Sequence, residues 1–523
     1  MLTFNLPGTD SVLKQTVETR PKAVAQWLDR LPFASPTDVA QQLVMALYTL
    51  NRHPLAEDDR AALLALYRPA VQRAAAGLEA RLVEAGVPPH AQLRQAGALL
   101  RELHIEHSLG YKQVLLGLTQ RRFGRAPARH VAEAASHLQA ALRDLQVACA
   151  LTHTPHPAGL WQDLHQVQAH VQEAGLADTA TDDTPPPSLP YRQALLIALA
   201  DPLRMTPPEL LQMRQYLDRF AALATLGPAP VPGHHGFAIP VAGDVPPSHL
   251  PPERLPQRWL DTDALCHRLH DSAARLRAGE SPRRIGLPAD INVDLARRLF
   301  QRLLKLWSSG VQRAFRRFAT SGSTLQMVAG VSAIHRLLEQ SLPQDSAPPG
   351  DSDSLSIGDV GSTQAMPVTV NATHWTVSND SAAGLALSGT PDAPLNLKVG
   401  DPLALGGSDA GDWALGVIRW VVMRDARQVE LGVERLPPQI EPVWVQPLRG
   451  RRKAAPEAAL FVPGIAALQQ HDRLLLPRHL YQAGLDADVW HAPRHYALTF
   501  GRRVEQTPSF DLIEFSVFDD EAP

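Results

Sequence analysis

The sequence predicts an α+β protein: an N-terminal all-α helical bundle or array, then a β-rich region and a further small β unit. Three observations carry this. Apolar residues recur at helical spacing up to about residue 320 and at alternating spacing beyond it. Pro and Gly clusters cut the first part into pieces of helix length. The 523 residues suffice for about two to four domains.

The first helical region spans residues 1–180. Ser35-Pro36-Thr37-Asp38 is a start signal: a capping hydroxyl, a proline at the first helical position and a carboxylate in the first turn. Val39, Leu43, Val44, Leu47 and Leu50 follow at helical spacing, and His53-Pro54 ends the helix. Leu63, Leu64, Tyr67, Val71, Leu78 and Leu82 make the next one. Pro69 is expected to kink it, because its ring lacks an N–H and crowds the preceding turn. Gly86 and Pro88-Pro89 stop it. Leu99 to Leu118 and Arg129 to Leu151 give two more helices, and Trp161, Leu164 and Val171 open a fifth. Thr181 to Ser188 reads as a linker by composition.

A second helical region, 190–312, follows with a Pro/Gly/His-rich connection over 228–256 that reads as irregular. The first β region, which the resemblance described below makes an antiparallel barrel, is placed at 313–437, interrupted by an insertion at about 331–365. Within the insertion, Val331 to Gln340 is helix-like, and Leu342 to Thr363 has a composition that cannot offset the cost of ordering. That stretch is expected to be mobile. Short alternating runs over 438–523 form the C-terminal β extension. The cleanest is Phe510 to Phe518.

Composition narrows the function classes. A net charge of −3 gives no global reason to expect nucleic acid or an anionic membrane surface. Two cysteines, Cys149 and Cys266, fit a reducing compartment. No apolar run reaches the length of a membrane span, and the N-terminus lacks a signal-peptide pattern. The expected location is cytoplasmic. Nucleophile elbows, phosphate loops, zinc-protease helices and dinucleotide fingerprints are missing from the sequence, which points to a binding module and not an enzyme. His104, Glu106 and His107, and likewise Asp263, Cys266, His267 and His270, match no zinc pattern and read as helix-face residues; no metal is expected. Arg449, Arg451, Arg452 and Lys453 form the densest positive run and read as a solubilising loop, with phosphate, nucleic acid or an acidic partner as the other possibilities; no interleaved aromatics support nucleic acid.

The informative stretch is Trp375 to Leu387. It starts as a strand with Thr373, Thr376 and Val377, breaks at Asn379-Asp380-Ser381, and restarts at Leu385 and Leu387. Gly384 supplies a position where the backbone can take positive φ or approach a ligand. The spacing Asn379-x-Ser381-x-x-Gly384 resembles one half of the signature of PilZ domains, bacterial receptors for cyclic di-GMP. Arg313-x-x-x-Arg317 resembles the other half. The strands Trp413 to Val422, which contains Arg419-Trp420, and Val429 to Val433 are similar to those that follow the motif in that family. The connection between Arg317 and Asn379 is longer than the family's. The resemblance implies a PilZ-like barrel that binds cyclic di-GMP. Arg313 and Arg317 would clamp phosphate and stack on guanine, Asn379 and Ser381 would bond a guanine edge, and Gly384 would leave room. The implied whole is a signalling adaptor whose helical region holds a protein partner. The alternative is a degenerate PilZ scaffold that binds protein but no nucleotide.

Overall fold

The computed structural model describes residues 2–8, 17–121, 126–247, 257–308, 318–319, 322–340, 372–381, 383–391, 395–406, 413–436, 440–449, 452–453, 455–466 and 469–518, with the backbone alone at 318–319, 449 and 452–453. The chain divides into two units, Met1–Ala85 with Pro89–Arg313, and Gly86–Pro88 with Ala314–Pro523.

The first unit is helical. Its helices are α1 (Pro21–Asp29), α2 (Pro36–Arg52), α3 (Glu57–Leu82), α4 (Ala91–Thr119), α5 (Ala128–Leu151), α6 (Leu160–Glu173), α7 (Ser188–Leu199), α8 (Pro207–Phe220), α9 (Asp263–Arg277) and α10 (Val293–Ser308). One apolar core runs through the unit from Leu2 to Trp307. The Trp307 indole, itself fully buried, donates to the Leu196 carbonyl at 3.0 Å. None of the described helices is long and apolar enough to cross a membrane.

Four local readings can be compared with this unit. Helix α2 begins at Pro36 after Ser35, but the Ser35 hydroxyl donates to the Asp38 carboxylate at 2.7 Å and caps no backbone N–H. Helix α3 continues through Pro69. Both Pro69 and Ala65, whose carbonyl loses its helical donor there, are exposed, so the proline sits on the solvent side of the helix. The stretch read as a linker is packed: Thr184 and Ser188 are buried, and the Ser136 hydroxyl donates to the Pro185 carbonyl at 2.7 Å. The Pro-rich connection contributes to a small antiparallel sheet in the order β1-β3-β2, formed by β1 (Thr225–Gly227), β2 (Gly236–Pro240) and β3 (Gln257–Asp261).

The second unit contains two closed six-stranded antiparallel barrels. The first uses β5 (Thr324–Ala329), β6 (Thr373–Ser381), β7 (Gly384–Gly389), β8 (Pro402–Gly406), β9 (Trp413–Met423) and β10 (Val429–Arg435), with β4 (Phe318–Ala319) extending the edge beside β6. Pairing of β6 with β7 closes the ring. The insertion begins with α11 (Val331–Glu339); the Leu342 to Thr363 stretch lies outside the described residues. The second barrel uses β11 (Glu441–Arg449), β13 (Glu457–Val462), β14 (Arg473–Pro477), β15 (Asp486–His491), β16 (Arg494–Gln506) and β17 (Phe510–Val517), and β11 pairs with β15 to close it. The basic run folds back as a hairpin, with β12 (Arg452–Lys453) pairing Arg449 to Arg452. Thus the C-terminal extension is itself a barrel.

The two barrels share a core. Val328, Ile334, Ala404, Leu415 and Val417 pack in one cluster with Leu460, Val462, Leu475, Phe510 and Leu512. Helix α11 lies in that cluster, and its Glu339 accepts from the Trp444 indole at 3.1 Å. Arg419 bonds Glu434 of its own barrel at 2.5 Å and Glu505 of the other at 2.6 Å.

Candidate functional site

A tight connection between two strands follows the stretch read as a turn, but Asn379, Asp380 and Ser381 lie within the strand that leads into it and pair across to the next. Strand β6 alternates inward at Trp375 and Val377, both buried. A bulge between Val377 and Asn379 then shifts the pairing, so that Asn379 faces Ala386, Asp380 faces Leu385 and Ser381 faces Gly384. Strand β6 ends at Ser381 and β7 begins at Gly384. The Ser381 hydroxyl donates to the Gly384 carbonyl at 2.8 Å. The end of β10 holds the turn from the other side. The Arg435 N–H donates to the Ala383 carbonyl at 3.0 Å, and its guanidinium meets Asp380 at 3.1 Å.

Asn379 is half-buried, and its carboxamide has no hydrogen-bond partner among the described residues. The same is true of Asp380 Oδ1, which is buried. The turn therefore offers a carboxamide, with one donor face and one acceptor face, and a carboxylate oxygen that is not committed elsewhere.

Gly384 has a different reason from the one expected. It is not among the positive-φ positions. A side chain there would collide with the Val433 carbonyl of β10. The residue lets two strand backbones approach, so the room it leaves is taken by protein. Gly384→Ala is expected to lower the stability of the barrel by about 2 kcal/mol, the cost typical of overpacking, with the shift read in a denaturant titration. A variant as stable as the parent would refute the steric role.

Arg313 and Arg317 lie outside the described residues. The next described stretch, β4, pairs Phe318 with Asp380 and Ala319 with Asn379. The chain that follows the arginine pair thus runs antiparallel along the Asn379 strand. Sequence reasoning missed the Asp380–Arg435 pair. Its signal was an acidic residue inside the motif and an arginine closing the strand that contains Gly432. The two histidines read as helix-face residues, His104 and His107, are buried inside the helical unit. The described residues contain no cluster of groups able to hold a metal. Burial pushes the thiols of Cys149 and Cys266 up to about 11, and both are free.

Three family models match the chain in order. They are the cyclic-di-GMP receptor FimW N-terminal domain over 22–230, the FimW middle PilZ domain over 354–442, and the FimW C-terminal β-barrel domain over 443–518. The PilZ match takes in Asn379, Ser381 and Gly384 and begins after Arg317. The chain is 24% identical to the cyclic-di-GMP receptor FimW of Pseudomonas aeruginosa, over 95% of this chain and 90% of that protein.

Proposed function

The chain belongs to the PilZ-domain family, and from that premise we propose that it is a cytoplasmic cyclic di-GMP-binding signalling adaptor, a receptor and not an enzyme, with a protein partner held by the helical unit. The observation that carries this is the ordered match of all three domains of a cyclic di-GMP receptor, with the Asn379 turn inside the PilZ span. The geometry adds a division of labour at the turn. The Asn379 carboxamide bonds a guanine edge through both its donor and its acceptor. Ser381, already donating to Gly384, contributes its oxygen as an acceptor for a guanine N–H. Arg313 and Arg317 supply the cations for phosphate and the planes for stacking. The register of β4 against β6 supports their convergence on Asn379. Gly384 belongs to the site through the backbone it brings close.

Calorimetric titration of the full chain with cyclic di-GMP tests this directly. Saturable heat with micromolar or tighter affinity is expected. A flat titration at high micromolar ligand would sink the receptor reading and leave the degenerate scaffold. One observation favours that second reading: the PilZ match begins beyond the arginine pair.

A further inference from the structure

The helical unit holds a half-open cavity of about 700 Å³, lined by its own residues alone. Its walls come from α3, α4, α5, α7 and α8, and its size falls within the usual range for small-molecule sites. Two features set it apart from a solvent-filled gap.

The first is unmet hydrogen-bonding capacity. His104, 4% exposed, lines the cavity, and neither of its ring nitrogens has a partner among the described residues. Nε2 of His107, 6% exposed and also on the wall, is in the same position. Tyr111, whose ring packs between His107 and His137, brings its buried hydroxyl to Arg68. Buried polar atoms are nearly always paired, so such a group beside one cavity points to a missing partner.

The second is charge. Two of the wall's arginines are neutralised locally: Arg214 forks onto Glu79 at 2.6 Å, and Arg143 meets Asp144 at 2.7 Å. Arg68 has no carboxylate partner among the described residues. Its Nη1 lies 3.1 Å from Nδ1 of His137, an imidazole that burial keeps uncharged, with its pKa down at about 4. Asp144 and Asp218 line the other end, about 10 Å along α5 by the helical rise from His137 to Asp144. The wall is therefore cationic at Arg68, while the other end, where Glu79, Asp144 and Asp218 face Arg143 and Arg214, keeps one carboxylate in excess; exposed Asp183 lies on the wall as well.

We infer that this cavity binds a small organic anion, its carboxylate or phosphate group seated on Arg68 and its body hydrogen-bonded by His104 and His107. The acidic end rejects a second anionic group, so the ligand carries its charge at one end and a neutral or cationic group at the other.

Thermal unfolding of the full chain tests the site, with inorganic phosphate, hexanoate and 6-aminohexanoate as probes at millimolar concentration against chloride of equal ionic strength. At least one probe is expected to raise the unfolding midpoint by about 2 °C or more. Phosphate alone doing so assigns a phosphate head, and either organic acid assigns a carboxylate; a larger effect of 6-aminohexanoate than of hexanoate assigns the acidic end its cation. Arg68→Gln should abolish the shift. Gln72→Glu should do the same from an exposed position, because it sets a carboxylate one helical turn from Arg68. The helix signal in the far ultraviolet shows that each variant is folded and is independent of cyclic di-GMP binding. No shift with any probe, or a shift that survives Gln72→Glu in the folded chain, would overturn the proposal.

Discussion

Replacing Arg317 with alanine is expected to weaken cyclic di-GMP binding at least about tenfold. The ligand is a dianion, and charge-assisted forked contacts to phosphate are about twice as strong as neutral hydrogen bonds. Losing one buried partner of that kind typically costs about 2–5 kcal/mol, and an exposed one costs less, so tenfold is the lower end. Arg317→Lys should recover only part of the affinity, since an ammonium has neither the fork nor the stacking plane. Ser381→Ala removes one neutral bond, about 0.5–1.5 kcal/mol, and should do less. Calorimetry on the three variants reads the order. Binding that survives Arg317→Ala but disappears in Arg449→Ala would move the phosphate contact to the hairpin of the second barrel.

The helical unit should lose stability as the pH is lowered from about 7 to about 5. Burial holds His107 down at about 3 and His137 at about 4 in the folded chain, against 6.5 for a free imidazole. Below that value the unfolded chain takes up protons that the folded chain refuses. Stability is fully present above the unfolded pKa and is lost as the pH falls toward the folded ones. Each such group contributes a slope of about 1.4 kcal/mol per pH unit, so two of them remove about 4 kcal/mol by pH 5. The charged neighbours of His107 are Asp144 and Arg68, with His104 and His137 close by. Asp218, raised by its own burial, opposes the trend. Denaturant titrations followed by the helix signal at the two pH values measure the difference. His107→Gln should flatten the slope; a slope unchanged in that variant would assign the pH dependence elsewhere.

The legible parts of the fold were those written in local pattern. Helical periodicity marked α2 to α6, and alternation marked the barrel strands. Turn chemistry at Asn379, Asp380 and Ser381 placed the connection between β6 and β7. What depended on distant partners could not be read. The strands β1 and β2, only three and five residues long, are too short for their pattern to mark them, and β3 is recognisable only by pairing with both. Closure of the second barrel rests on β11 meeting β15, whose paired residues Trp444 and Trp490 are far apart in the chain. The crowding at Gly384 was also hidden, because the backbone that meets it belongs to Val433 of a distant strand. The cavity in the helical unit draws its walls from five helices, so no single stretch announces it.

The core shared by the two barrels bears on how such a chain is inherited. The PilZ similarity ends at residue 442 and the next begins at 443, a boundary that cuts strand β11 two residues after its start. An ancestral exchange at that point would have split a strand and bared Leu415, Val417 and Ile334 on one side and Leu460 and Phe510 on the other. Contiguous apolar surface of that kind is what drives chains to aggregate. A cut at that boundary is therefore expected to leave each barrel, expressed alone, with an uncovered apolar face.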